Sequence, residues 1–153
     1  MFVMNIGILL LLLELYFPYL LYNGLNVNPD FFLIFIILIG FKYSRLKTTL
    51  VGFLVGFIRD FLTQYFLFGF LSLLTTSFGY LIVNIRYIRN INMRYIFLSF
   101  SIIIYFYLSY YIQYSGSNIF FLKFSLIKAS LTMISYFTLK ALFTKGYNYF
   151  EKF

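Results

Sequence analysis

Apolar residues fill this chain in long blocks, and polar residues appear as short punctuation between them. Neither the alternation of a half-buried strand nor the stripe of a surface helix repeats along it. The first block runs from Phe2 to Tyr22, interrupted by Glu14. It lacks a basic leading region and a small-residue cleavage site, which predicts a retained helix and not a signal peptide. Asn23 to Asn28 form a short polar turn, and Pro29 suits the first turn of a second helix ending at Phe41. That segment is too short to cross a bilayer upright, so it must be tilted or shielded by protein. Lys42, Arg45 and Lys47 follow, then a third span from Thr48 to a break at Thr63 and Gln64. The fourth runs from Tyr65 to Ile85, and a second basic loop holds Arg86, Arg89 and Arg94. The fifth and sixth cover residues 95–114 and 119–143 around the neutral turn Ser115 to Asn118, before a basic, aromatic tail.

The expected spans are therefore 2–22, 29–41, 48–63, 65–85, 95–114 and 119–143, in one polytopic membrane domain. Fusing the third and fourth would need about 38 residues, some 57 Å of helix at 1.5 Å per residue. That is nearly twice the hydrocarbon thickness of a bilayer, so six spans fit better than five. Of the twelve Lys and Arg residues, nine fall in the loops after spans two and four and in the tail from Lys140, and the loops after spans one and five have none. Arg59 and Asp60 lie near the outer surface at the third-to-fourth junction. The positive-inside rule then places both termini in the cytoplasm.

Composition sharpens this reading. Of 153 residues, 63% are hydrophobic and 10% charged, against roughly 25% charged in an ordinary soluble domain. Mean hydropathy is +0.92, and six crossings leave no length for an extramembrane domain. A net charge of +8 reads as basic cytoplasmic loops, not as a nucleic-acid surface. The chain has no cysteine and no histidine, which removes thiolate nucleophiles, imidazole bases and Cys/His metal sites. Glu14, Asp30, Asp60 and Glu151 are its carboxylates. No nucleophile–base pair or phosphate-cradling loop can be assembled, so the chain is expected to be no enzyme and to need no cofactor. The aromatic share of 25% without tryptophan reads first as low-GC coding bias, then as interfacial anchoring.

A few positions depart from plain lipid solubility. Thr48, Gly52, Gly56 and Asp60 recur every fourth residue on one helical stripe. Gly52-x-x-x-Gly56 is the small-residue pattern that lets membrane helices approach closely. This face should contact another helix, within the chain or from a partner. Asp60, near the outer interface, could equally be solvated. Asp30 sits where the dipole and free N–H groups of a helix start favour a carboxylate. Glu14 and Lys128 fall at similar depths in the first and sixth spans, so they are expected to pair or share a hydrated pocket, with Arg59 the second-choice partner.

The order of these residues carries a resemblance. Pro29-Asp30, a basic loop, the run Gly52 to Asp60 (GFLVGFIRD), then Gly69 and Gly79 resemble the rod shape-determining MreD family. The likeness covers Pro29 to about Gly79, and the chain departs from it in the bulky Phe68-Gly69-Phe70. It implies a six-helix fold like the substrate-binding (S) component of energy-coupling-factor transporters. It also implies a bacterial inner-membrane protein that partners MreC, and through it RodA, a class B penicillin-binding protein and MreB, in the elongation complex that directs peptidoglycan synthesis. Pro29, Asp30, Gly52, Gly56, Arg59, Asp60, Gly69 and Gly79 are then the packing or partner-binding positions. A vitamin-type transporter subunit is the alternative; it would need Asn23, Asn26, Asn28, Gln113 and Asn118 to converge on an outward cavity. A phage holin or similar pore would need a polar helix face, which the first two spans lack.

Overall fold

The computed structural model describes residues 7, 9–10, 12–14, 16–18, 20–22, 25–63, 68–113 and 118–146. Among the described residues there are six helices, which succeed one another, and one small β-ladder. Helix α1 comprises the helical residues between 7 and 16. A two-stranded antiparallel ladder follows, β1 (Leu21–Tyr22) on β2 (Leu25–Asn26), with Leu21 opposite Asn26 and Tyr22 opposite Leu25. Then come α2 (Phe31–Lys42), α3 (Arg45–Thr63), α4 (Phe70–Arg86), α5 (Ile91–Gln113) and α6 (Asn118–Gly146).

Several boundaries differ from the sequence pattern. Helix α3 starts at Arg45 and α5 at Ile91, each inside an expected basic loop, and α4 starts only at Phe70, after the turn at Phe68 and Gly69. The first two spans differ as follows. The first span does not continue as helix to Tyr22; it bends at Phe17. Pro18 disfavours helical geometry in the residue before it and contributes no N–H. Helix α2 begins after Pro29 and not on it, because Asp30 is its extended N-cap and accepts from Leu33 N at 2.9 Å. The expected break at Gln64, Ser115 to Ser117 of the neutral turn, Asn23 and Glu151 lie outside the described residues.

Helix α2 is the centre of the bundle. Its twelve residues span about 18 Å, and Phe31 to Ile34, Ile36, Ile37, Ile39 and Gly40 are all buried. A helix apolar on every side must be enclosed on every side, and α2 packs on α3, α4 and α6. Helix α1 joins it through Gly7, whose missing side chain leaves room for the Phe35 ring, and the bend after α1 adds Phe17 against Phe31, centroids 5.4 Å apart. Helices α3 and α4 form the closest pair in the fold, and α5 packs along α6.

The basic segments gather at one end. Arg86 Nη1 donates to Tyr43 O at 2.9 Å and reaches Gly40 O and Phe41 O at 3.4 Å, closing the C-terminus of α2. Lys140 Nζ donates to Tyr95 OH at 3.0 Å, tying the late part of α6 to the start of α5. Among the described residues, two segments are long and apolar enough to cross a membrane, Ile91–Ile112 and Asn118–Ala141. Exposed Leu, Ile and Phe side chains cover the outer faces of α3, α5 and α6. The fold is thus compatible with a membrane protein.

Candidate functional site

Polar chemistry inside the bundle is concentrated where α2 begins. The first N–H groups of a helix have no partner within it, and here they lie among apolar helices where water cannot serve them. Three elements supply acceptors. Glu14 of α1 takes the Phe31 N–H at 2.8 Å, Asp30 takes the Leu33 N–H, and Thr132 Oγ1 of α6 takes the Asp30 N–H at 3.3 Å. The positive end of the α2 dipole favours both carboxylates.

Their charge is answered by Arg59. Its Nη1 meets Asp30 Oδ2 at 2.6 Å and Tyr105 OH of α5 at 3.2 Å, and its guanidinium lies 5.8 Å from the centre of the Phe32 ring. Asp30 is 1% exposed and the Arg59 side chain 17%. Lys128 borders the same region from α6. Its Nζ donates to Tyr110 OH at 2.8 Å, with the Phe106 and Tyr110 rings within 5.4 Å. Thr132 Oγ1 returns a hydrogen bond to Lys128 O at 2.8 Å, so one hydroxyl links the Lys128 turn of α6 to the start of α2.

For the expected Glu14–Lys128 pair, the structure places each group as follows. The Glu14 carboxylate is engaged by the Phe31 N–H and the Lys128 ammonium by the Tyr110 hydroxyl, while Asp30, Arg59 and Lys128 all lie close enough to act on Glu14 electrostatically. Arg59 forms an ion pair with Asp30 in this region, a combination the sequence reading had not made.

A second polar station sits at the start of α4. Asp60 is buried at 2% exposure rather than solvated, and its two oxygens accept from Leu71 N at 3.2 Å and Ser72 N at 3.0 Å. It thereby caps a neighbouring helix. Gly69, the N-cap residue of α4, has φ +91°, a left-handed conformation that costs a side-chain-bearing residue about 1–2 kcal/mol. A Cβ at Gly69 would touch nothing within 4 Å, so the requirement is purely of the backbone. Gly69→Ala is therefore expected to cost about 1 kcal/mol while Gly69→Asn, which tolerates this region, costs less. Thermal unfolding in detergent checks it.

Gly52 and Gly56 face α4. A Cβ on Gly52 would lie 2.7 Å from Thr75 O, and one on Gly56 would overlap Ser72 Cα and Thr75 Oγ1. Thr75 is fully buried and donates to Gly52 O at 2.7 Å, using the close approach for an interhelical hydrogen bond. Gly79 on α4 sits over the other end of α3, where a Cβ would be 3.1 Å from Thr48 O. Pro29 is buried beside the Asp30 cap. The predicted residues thus separate into two groups: the glycine stripe with Asp60 joins α3 to α4, and Glu14, Asp30, Arg59 and Lys128 gather around the start of α2.

Thr75, Tyr105, Tyr110 and Thr132 were not foreseen. Their signal was only that of hydroxyl residues inside apolar helices, common and usually satisfied by the preceding turn. Of the polar residues an outward cavity would need, Asn28 Oδ1 accepts from Leu20 N at 2.7 Å and Asn26 Oδ1 from Asn28 N at 2.9 Å, so both organise the turn before α2. Asn118 is exposed at the start of α6. In this arrangement carboxylates and hydroxyls terminate helices and tie them together.

No protein-family model matches this chain, nor does any curated protein or solved structure.

Proposed function

We propose that this chain is a six-span protein of the bacterial inner membrane, with both termini cytoplasmic. In this reading it is a non-enzymatic component of the elongation machinery. It binds the single-span protein MreC, and with it RodA, a class B penicillin-binding protein and MreB, in directing peptidoglycan synthesis. The observation that carries the reading is the ordered run Pro29-Asp30, Gly52 to Asp60, Gly69 and Gly79, the pattern by which the chain resembles the MreD family.

Physical arguments support the membrane placement. The apolar outer faces of α3, α5 and α6 suit lipid. The loops at Lys42 to Lys47 and Arg86 to Arg94 lie at one end of the bundle, the distribution favoured by the positive-inside rule. The short α2 satisfies its backbone within protein, as buried helices at membrane depth must.

The test is affinity purification of the tagged full chain from its host's membranes, together with depletion. MreC is expected to co-purify, and depletion in a rod-shaped host is expected to give round or lysing cells. Normal shape after clean depletion, in a host with no second copy, would overturn the reading. Co-purification of a transport ATPase and a transmembrane coupling subunit would replace it with vitamin-type uptake.

A further inference from the structure

We infer that the groove at the basic end of the bundle is a binding site for the phosphate headgroup of an anionic phospholipid. The groove has a volume of about 670 Å³ and lies between the α2–α3 connection and the end of α4. Lys42, Arg45 and Arg86 line it together with the rings of Tyr43 and Tyr87. Lys47 approaches from one side, its Nζ 5.8 Å from the centre of the Tyr43 ring. None of the lining residues is a carboxylate.

The cations are held in place. The Arg86 guanidinium is fixed by the carbonyls at the end of α2 and by a hydrogen bond from Nη2 to Tyr87 OH at 3.0 Å. Arg45 lies over the Tyr87 ring at 5.7 Å, and Lys42 over Tyr43 at 5.9 Å. Such stacking limits the freedom of long side chains, so less entropy is lost when an anion arrives. A basic pocket between helices at the cytoplasmic surface matches the chemistry of an anionic headgroup.

What favours a lipid over a free phosphate is the continuation of the site. Leu46 lines the groove, and from it Leu50, Phe53 and Phe57 prolong one exposed face of α3. A ligand with its phosphate among the cations therefore has an apolar track for its acyl chains. This rests on the bilayer placement proposed above and not on the identity of the partner, so its failure would leave the MreC experiment untouched.

The experiment is native mass spectrometry of the full chain in neutral detergent, titrated with phosphatidylglycerol, phosphatidylcholine or inorganic phosphate. Phosphatidylglycerol is expected to bind at least about tenfold more tightly than phosphatidylcholine. Lys42→Gln and Arg45→Gln should each weaken it about fivefold, and the double variant about 25-fold, the effect of one basic residue near an anionic surface taken once and twice. Both side chains are exposed, and the single variants keep the effect readable should the double variant fold poorly. A control removing two charges outside the groove, Arg89→Gln with Lys123→Gln, should change affinity less than about twofold. Equal binding of the two lipids, or an equal loss in the control, would overturn the site. Occupancy by inorganic phosphate as tight as by phosphatidylglycerol would overturn the assignment to lipid.

Discussion

Replacing Gly56 with leucine is expected to cost about 3 kcal/mol or more and to leave little folded protein, the upper range for overpacking a filled interface. The obstruction begins with the first carbon. A Cβ at this position overlaps Ser72 Cα and Thr75 Oγ1, and stands 2.8 Å from Leu71 O. Two of those three atoms belong to the α4 backbone and cannot rotate aside, so the helices must separate. Separation would also lengthen the Thr75 bond to Gly52 O and draw Asp60 away from Leu71 N and Ser72 N. Phe57→Leu, one residue along on the exposed face, is the matched control and should be near neutral. The measurement is the folded fraction and melting temperature of detergent-solubilised protein; a melting curve like that of the unsubstituted chain would show that α3 and α4 are not packed in this way.

The second large effect is expected at the Asp30–Arg59 pair. Removing one partner of a buried ion pair strands the other and typically costs about 3–5 kcal/mol. Arg59→Met leaves Asp30 and Glu14 facing each other at the start of α2 without the guanidinium, and Asp30→Asn leaves Arg59 without its carboxylate. Asparagine can still cap Leu33 N, which separates loss of charge from loss of the cap. Because the two residues touch, their effects should not add. The double variant is expected to be more stable than the sum of the singles by about 1–3 kcal/mol. Additive losses in thermal unfolding would show that each residue acts through other contacts.

These expectations show how unevenly the sequence displays its structure. Apolar blocks and basic interruptions located α3 to α6, because burial in an apolar phase demands long unbroken hydrophobic runs whatever the tertiary arrangement. The glycine stripe on α3 was legible because small residues at a spacing of four have little other use in an apolar helix. The β-ladder was missed although Asn23-Gly24 between two apolar runs is a strong hairpin signal. The same residues read equally well as a polar loop between spans.

The sequence by itself determined a helical, strongly hydrophobic chain with its basic loops set apart, and an inventory without thiol or imidazole chemistry. Period and composition are local properties, so they can be read without knowing what lies across the bundle. Tertiary structure alone decided which groups meet. Residues far apart along the chain, from α1, α2, α3, α5 and α6, converge on one helix start, and Asp60 caps α4 instead of meeting solvent. Such pairing depends on the rotation of each helix about its axis. That rotation is set by packing against neighbours: where every face of a helix is apolar, as in α2, the hydrophobic pattern gives no direction, and only the enclosing helices fix which side chain points at which.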